Sequence, residues 1–156
     1  MKLNTLQVKG AGEHFVTAET YRRGGYATPF QGNMPHWDLV AIDVAHQRHI
    51  DIQVKTKVHG GRWAGDIRDG RPRQEPPDET RFWALVDLSM GAPQYYVVPA
   101  WWMENSIYTE HQQYLDKHGG KRPRNPDSTD HSIKVEHVEQ WKDRWDVLGI
   151  FAEHGD

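Results

Sequence analysis

The chain has 156 residues, 37% hydrophobic and 26% charged, with a net charge of -3 and a pI near 6.3. It is long enough for one domain with a full core and too short for two ordinary ones, and its charge argues against a strongly basic nucleic-acid coat protein. The sequence has no cysteine, no secretory-type leader and no apolar run near the roughly 20 residues of a membrane span, so disulfides, thiolate zinc sites and membrane association are excluded and a cytoplasmic protein is expected.

Residues 1–9 read as a loose lead-in, with weak alternation of Leu3, Leu6 and Val8. Gly10-Ala11-Gly12 opens a helix over 11–23, closed by Gly24-Gly25. Ala11, Phe15, Ala18 and Tyr21 or Arg22 fall near helical spacing and are expected to face the sheet. Glu13 stands in the first turn, where a carboxylate complements the helix dipole.

Tyr26 to Phe30 reads as a short strand, followed by a polar loop from Gln31 to His36. Trp37 to Val44 is a strand whose run Leu39-Val40-Ala41-Ile42 suits cover on both faces. Ala45 to Arg48 makes the turn, and His49 to Val58 is the next strand. There Ile50, Ile52 and Val54 alternate with Asp51, Gln53 and Lys55, giving one core face and one polar face. A hairpin centred on that turn sets Asp38 across from Lys55 and diagonal to Gln53, within side-chain reach. A one-residue slip would turn the faces over.

Residues 59–80 are rich in Gly, Pro and charge without a period and read as a long loop. Arg62, Arg68, Arg71 and Arg73 with Trp63 offer contacts to phosphates and a base, although Asp66, Asp69, Glu75, Asp78 and Glu79 largely cancel their charge. Arg81 to Leu88 and Gln94 to Val98 form a second hairpin. Pro99 suits the start of a helix over 100–117, with Trp101, Tyr108 and Leu115 as its packing face, flanked by Met103, Ile107 and Tyr114. Residues 117–131 form another loop, locally basic through Lys117, Lys121, Arg122 and Arg124. Ser132 to Val135 is a short extended piece. Val138, Trp141, Trp145 and Leu148 then fit an amphipathic C-terminal helix. One mixed α/β domain accommodates this order of elements.

Phosphate loops of P-loop type, GxGxxG, HExxH and GxSxG are all absent, and the ten histidines show no zinc spacing. The remaining constellation is Asp38 with Gln53-x-Lys55. Together with Gly12-Glu13, Pro35-His36-Trp37-Asp38 and Ile52-Gln53-Val54-Lys55, it resembles the PD-(D/E)XK nuclease superfamily. The later stretch from Phe82–Leu88 through Tyr95-Tyr96-Val97-Val98-Pro99 to Trp141–Trp145 resembles small bacterial members.

That resemblance implies a single restriction-endonuclease-like domain over 1–156, α/β, with a central mixed sheet of about five strands flanked by helices. It implies metal-dependent hydrolysis of phosphodiester bonds, with DNA as the polymer, RNA as the alternative, and a homodimer where both strands are cut. Asp38 matches the metal-binding aspartate, Lys55 the motif lysine and Glu13 a helix-borne glutamate. Gln53 stands where the second acid normally stands. Mg²⁺, or Mn²⁺ in its place, takes hard oxygen ligands and acidifies water. Asp38, the Gln53 side-chain oxygen, the Val54 carbonyl and Glu13 would supply the oxygens. Lys55 would orient the attacking water and stabilise charge on the phosphate. Arg62, Lys121, Arg122 and Arg124 would hold the nucleic-acid backbone. Two other readings fit the neutral Gln53 and the acidic net charge: a nuclease-fold protein that binds nucleic acid without cutting it, and an interaction protein with a tryptophan-rich surface.

Overall fold

Asn4 starts the first helix. Its side chain accepts a hydrogen bond from the Gln7 N–H (2.9 Å), and the Gln7 side chain accepts one from the Asn4 N–H (2.9 Å). This reciprocal capping box satisfies two donors that a helix start otherwise leaves open. Helix α1 therefore spans Thr5–Arg22, which corrects the lead-in expected over 1–9. The computed structural model describes residues 2–30 and 35–152. The loop expected over 31–34 lies outside the described residues.

Strands β1 (Tyr26–Pro29), β2 (Leu39–Ile42), β3 (His49–Lys57), β4 (Arg62–Asp66), β5 (Arg81–Asp87) and β6 (Gln94–Pro99) precede α2 (Ala100–Lys117), and β7 (Asp130–Lys134) follows it. The central sheet has five strands in the order β1-β2-β3-β5-β6. All its neighbours are antiparallel except β3 and β5. The expected mixed α/β architecture is thus observed. A parallel pair needs a long crossover, and residues 58–80 supply it. That segment is not the structureless loop expected over 59–80. It carries β4, which pairs antiparallel with β7 in a separate two-stranded ribbon. The ribbon forms because Trp63 and Ile133, cross-strand partners, are both buried against the sheet.

Each face of the sheet has its own core. Val16 of α1 packs with Leu39, Ile50, Ile52, Val54 and Phe82, and Trp145 and Leu148 close that side. On the other face Trp63, Trp83, Leu85 and Val98 pack against Met103 and Ile107 of α2. The buried stripe of α2 is therefore Ala100, Met103 and Ile107, not Trp101, Tyr108 and Leu115. Similarly, α1 buries Gly12, Val16 and Thr20. The expected face was Ala11, Phe15, Ala18 and Tyr21 or Arg22, yet Phe15 and Tyr21 are exposed. The reason is local: at Gly12 a Cβ would lie 1.7 Å from Thr56 Oγ1. The helix thus crosses β3 at its smallest residue, and positions four and eight further on follow it inward.

The expected amphipathic helix over 136–148 does not form. Three 3₁₀ turns (Val135–His137, Glu139–Trp141, Trp145–Leu148) replace it. Asp143 at φ 53° interrupts them, and its N–H donates to the Tyr95 carbonyl at 2.9 Å. With a bridge between Tyr96 and Lys142, the segment covers the free edge of β6, which otherwise presents unpaired backbone groups. Val138, Trp145 and Leu148 are nevertheless buried, as their apolar character requires. No helix among the described residues is long and apolar enough to cross a membrane.

Gly12→Ala is expected to lower stability by about 1–3 kcal/mol in urea unfolding, the usual cost of overpacking a close contact. Thr56→Ala added to it should restore part of the loss. A Gly12→Ala chain as stable as the wild type would show that this helix–strand contact is slack.

Candidate active site

On β3, Ile50, Ile52 and Val54 are buried and Asp51, Gln53 and Lys55 face the other way, partly exposed. β2 pairs with β3 as far as Leu39 and Ile52, and Asp38, just before β2, donates its N–H to the carbonyl of the same Ile52. The expected hairpin was displaced by two residues. The Asp43 carboxylate explains the shift: it accepts from the N–H groups of Gln47 (2.7 Å) and Arg48 (2.9 Å), closing the turn early and ending β2 at Ile42. A two-residue displacement preserves the alternation of faces along β3, and Asp38 still meets Gln53 and Lys55 in one cleft.

Asp38 is held by its own backbone and side chain. Its N–H donates to the Ile52 carbonyl at 3.0 Å, and its Oδ2 accepts from the Val54 N–H at 2.7 Å. His36, at φ 70°, turns the chain just before it. Asp38, Gln53, Val54 and Lys55 line one cleft of about 420 Å³, with Lys9 on one wall and Trp63 on another.

Glu13 stands two turns further into α1 than the sequence suggested, because the helix begins at Thr5. The helix dipole therefore does not account for it. The Gly12 contact with Thr56 brings it beside Asp38 instead. Burial, and then repulsion from the Asp38 carboxylate, push the Glu13 carboxyl above the ordinary range, while Lys9 pulls it the other way. The Lys9 ammonium lies 3.9 Å from Glu13 Oε1 and 3.9 Å from Asp38 Oδ1.

The two lysines of β3 are sorted by their partners. Lys57 is buried, its Nζ 2.6 Å from Asp87 Oδ2. Burial would raise the Asp87 carboxyl, but hydrogen bonds from Lys57 and Ser89 outweigh it and hold the group below its usual value. Lys55 makes no ion pair among the described residues, and its Nζ lies 5.8 Å from the centre of the Trp83 ring. Its charge is available to a ligand in the cleft.

The expected backbone contacts do not gather there. Arg62 is exposed beside Trp63 and donates to Ser132 Oγ at 2.6 Å. Arg122 donates to the Asp130 carbonyl and lies over Tyr114, lining a groove between α2 and β7. Lys121 and Arg124 are exposed beyond α2, and none of the four lines the cleft. The residues that do line it and were not expected are Thr5, Val8 and Lys9 of α1 and Ala64 of β4, beside Trp63, which was expected only as a loop residue contacting a base. Asn4 followed by Gln7 was a legible signal for the first group. No local pattern marks the second, because β4 finds its partner far along the chain.

Among the described residues no three His, Asp or Glu side chains converge as a metal centre would require. The oxygens at hand are those of Asp38 and Glu13, the Gln53 amide and the Val54 carbonyl. Two adjacent carboxylates, with an ammonium equidistant from both, mark a point of negative potential that suits a hard cation.

A raised Glu13 pKa means that protonation of this group favours the folded chain. That contribution is complete below the unfolded value of about 4.3 and is lost as pH rises through the folded value. Glu13→Gln is therefore expected to raise Tm at neutral pH and to leave it unchanged in strong acid, as read by circular dichroism melts. A lower Tm at neutral pH would mean that attraction to Lys9 exceeds repulsion from Asp38.

No protein-family model and no curated protein matches this sequence. Among solved structures, a bacterial homing endonuclease, I-Ssp6803I, is similar in fold, with a TM-score of 0.54 over 95% of this chain and 94% of that one, at 12% sequence identity. The chain shares the overall fold of that protein.

Proposed function

We propose that the chain is a metal-dependent nuclease of PD-(D/E)XK type that hydrolyses phosphodiester bonds in DNA. The observation that carries this reading is the meeting of Asp38, Gln53 and Lys55 in one cleft, with Glu13 beside Asp38. Its fold likeness to a homing endonuclease supports it at a coarser level.

In this reading Asp38 and Glu13, with the Gln53 oxygen and the Val54 carbonyl, hold Mg²⁺ or Mn²⁺. The ion, when bound, supplies Lewis acidity that acidifies water and neutralises phosphate charge. Lys55 donates to a non-bridging phosphate oxygen, where negative charge grows as water adds to phosphorus. The attacking water gives up a proton to solvent, the bridging P–O bond breaks, and the leaving oxygen takes up a proton from solvent. The bond from the Val54 N–H fixes one oxygen of Asp38, and Oδ1, 3.9 Å from the Lys9 ammonium, would be the one to meet the ion. Lys9 provides a second cation at the mouth of the site.

Cleavage of plasmid and branched DNA with Mg²⁺ or Mn²⁺ tests the proposal. Asp38→Ala and Lys55→Ala are each expected to reduce turnover about 100-fold or more, and a chelator should abolish it. Gln53→Glu should lower the metal concentration needed for half-maximal rate, since it returns a charged ligand to the site. Equal, metal-independent cleavage by the wild type and both alanine variants would sink the assignment. The neutral Gln53 and the ammonium of Lys9 inside the cleft favour a second reading, a nuclease-fold protein that binds DNA without cutting it. Tight binding at low salt with no product in either metal would establish that one.

A further inference from the structure

Gln53 has two neighbourhoods. It lines the cleft around Asp38, and it also lines a smaller recess of about 200 Å³ with Trp37, Asp69, Arg71, Arg81 and Glu104. His36 belongs to both as well, so the two hollows adjoin across the polar face of β3.

The recess is polar and balanced in charge, Arg71 and Arg81 against Asp69 and Glu104. Arg81 is pinned: its Nε lies 2.9 Å from Asp78 Oδ2, its Nη1 3.3 Å from Glu104 Oε1, and its guanidinium 5.4 Å from the Trp37 ring centre. The Glu104 side chain is only 14% exposed. Among the described residues Arg81 is the one side chain bonded to it, through one carboxylate oxygen, and the other oxygen has no partner. Burial pushes this carboxyl above its ordinary range, against the pull of Arg81. A mostly buried carboxylate on the wall of the recess favours a ligand that donates to it.

A second phosphate does not suit the recess, because two carboxylates would repel it. A drug-sized ligand would not fit either, since such sites occupy roughly 300–1,000 Å³. A flat neutral ring with donors and acceptors along one edge fits both the size and the charge. Carboxylates accept from exocyclic amino groups of bases, and arginines donate to ring acceptors. Aromatic walls and edge-on hydrogen bonds are how extruded or single-stranded bases are held.

We propose that this recess takes an amino-bearing nucleobase (adenine, cytosine or guanine) from the nucleotide next to the phosphate held at Asp38 and Lys55. Glu104 accepts from the exocyclic amino group, and Arg71 or Arg81 donates to a ring nitrogen or oxygen. The placement beside a reacting phosphate rests on the nuclease reading, whereas the recess itself does not. Thymine and uracil have no exocyclic amino group, and their one ring donor, N3–H, sits between two carbonyls that a carboxylate repels.

Titrating the chain with the 5′-monophosphates of deoxyadenosine, deoxycytidine and thymidine, and with deoxyribose 5-phosphate, tests the recess without turnover. Tryptophan fluorescence reports binding. Deoxyadenosine or deoxycytidine monophosphate is expected to bind roughly tenfold tighter than the thymidine compound. Glu104→Ala should remove that preference, and the isosteric Glu104→Gln should reduce it even if the alanine variant folds poorly. Equal affinity for all four compounds, no saturable binding, or a preference unmoved by both variants would overturn the proposal. On any DNA that the wild type cuts, the Glu104 variants should lose base preference at one position beside the cut. Base-selective binding without cleavage would leave the recess assigned and remove the nuclease reading. Cleavage with no base selectivity would do the reverse.

Discussion

The closeness of α1 to β3 at Gly12 is the constraint on which the candidate site depends. With no side chain at that position, the helix comes so near that any added carbon would collide with Thr56 Oγ1. The neighbouring residue on the helix is Glu13 and the neighbouring residue on the strand is Lys55. One contact between small atoms thus fixes the distance between the acid carried by the helix and the polar face of the strand. It also turns Lys9, one turn earlier, toward Asp38. A larger residue would move all of these groups together, since protein interiors transmit displacement rather than absorb it.

The electrostatics follow from that proximity. Two carboxylates approach each other at the helix–strand junction, and the chain answers them with one exposed ammonium rather than a buried counter-ion. Two positions along β3 from Lys55 the opposite solution is used, with Lys57 and Asp87 locked together in the interior. A buried pair of that kind defines geometry without offering charge to a ligand. Negative charge left partly unmatched in a cleft is instead common where a site must receive something positive. Gln53, between Asp38 and the Glu104 recess, adds hydrogen-bonding capacity on both sides without adding charge.

Much of this was legible in the residues and some was not, for identifiable reasons. The alternation in Ile50–Lys55 announced β3 and its two faces, and the second hairpin and α2 followed from apolar runs and Pro99. Gln53 and Lys55 keep their shared face because strand parity survives a two-residue shift in register, and the short hairpin brings Asp38 to them whichever way its turn is centred. That shift came from the Asp43 carboxylate, whose capping of the turn is not visible in hydrophobic pattern. The start of α1 was misplaced by weighing Gly10 and Gly12 as helix-opening residues over Asn4 and Gln7. Gly12 turned out to matter for packing rather than for starting the helix. The C-terminal segment has helical spacing and still is not helical, because its backbone groups find partners on β6 instead of within itself. Its apolar residues dock in either conformation, so spacing alone could not separate the two.

The ribbon of β4 and β7 has a kinetic meaning. Asp38, Gln53 and Lys55 are brought together by a tight hairpin, a contact that closes quickly because little chain entropy is lost. Trp63 and Ala64, which wall the same cleft, are held by pairing with residues on the far side of the second hairpin and α2. Contacts between such distant segments form slowly and only after the intervening elements are ordered. The polar face of β3 is thus assembled early and covered late. During synthesis and refolding the chain is expected to pass through forms in which these polar side chains are in place and their enclosure is not.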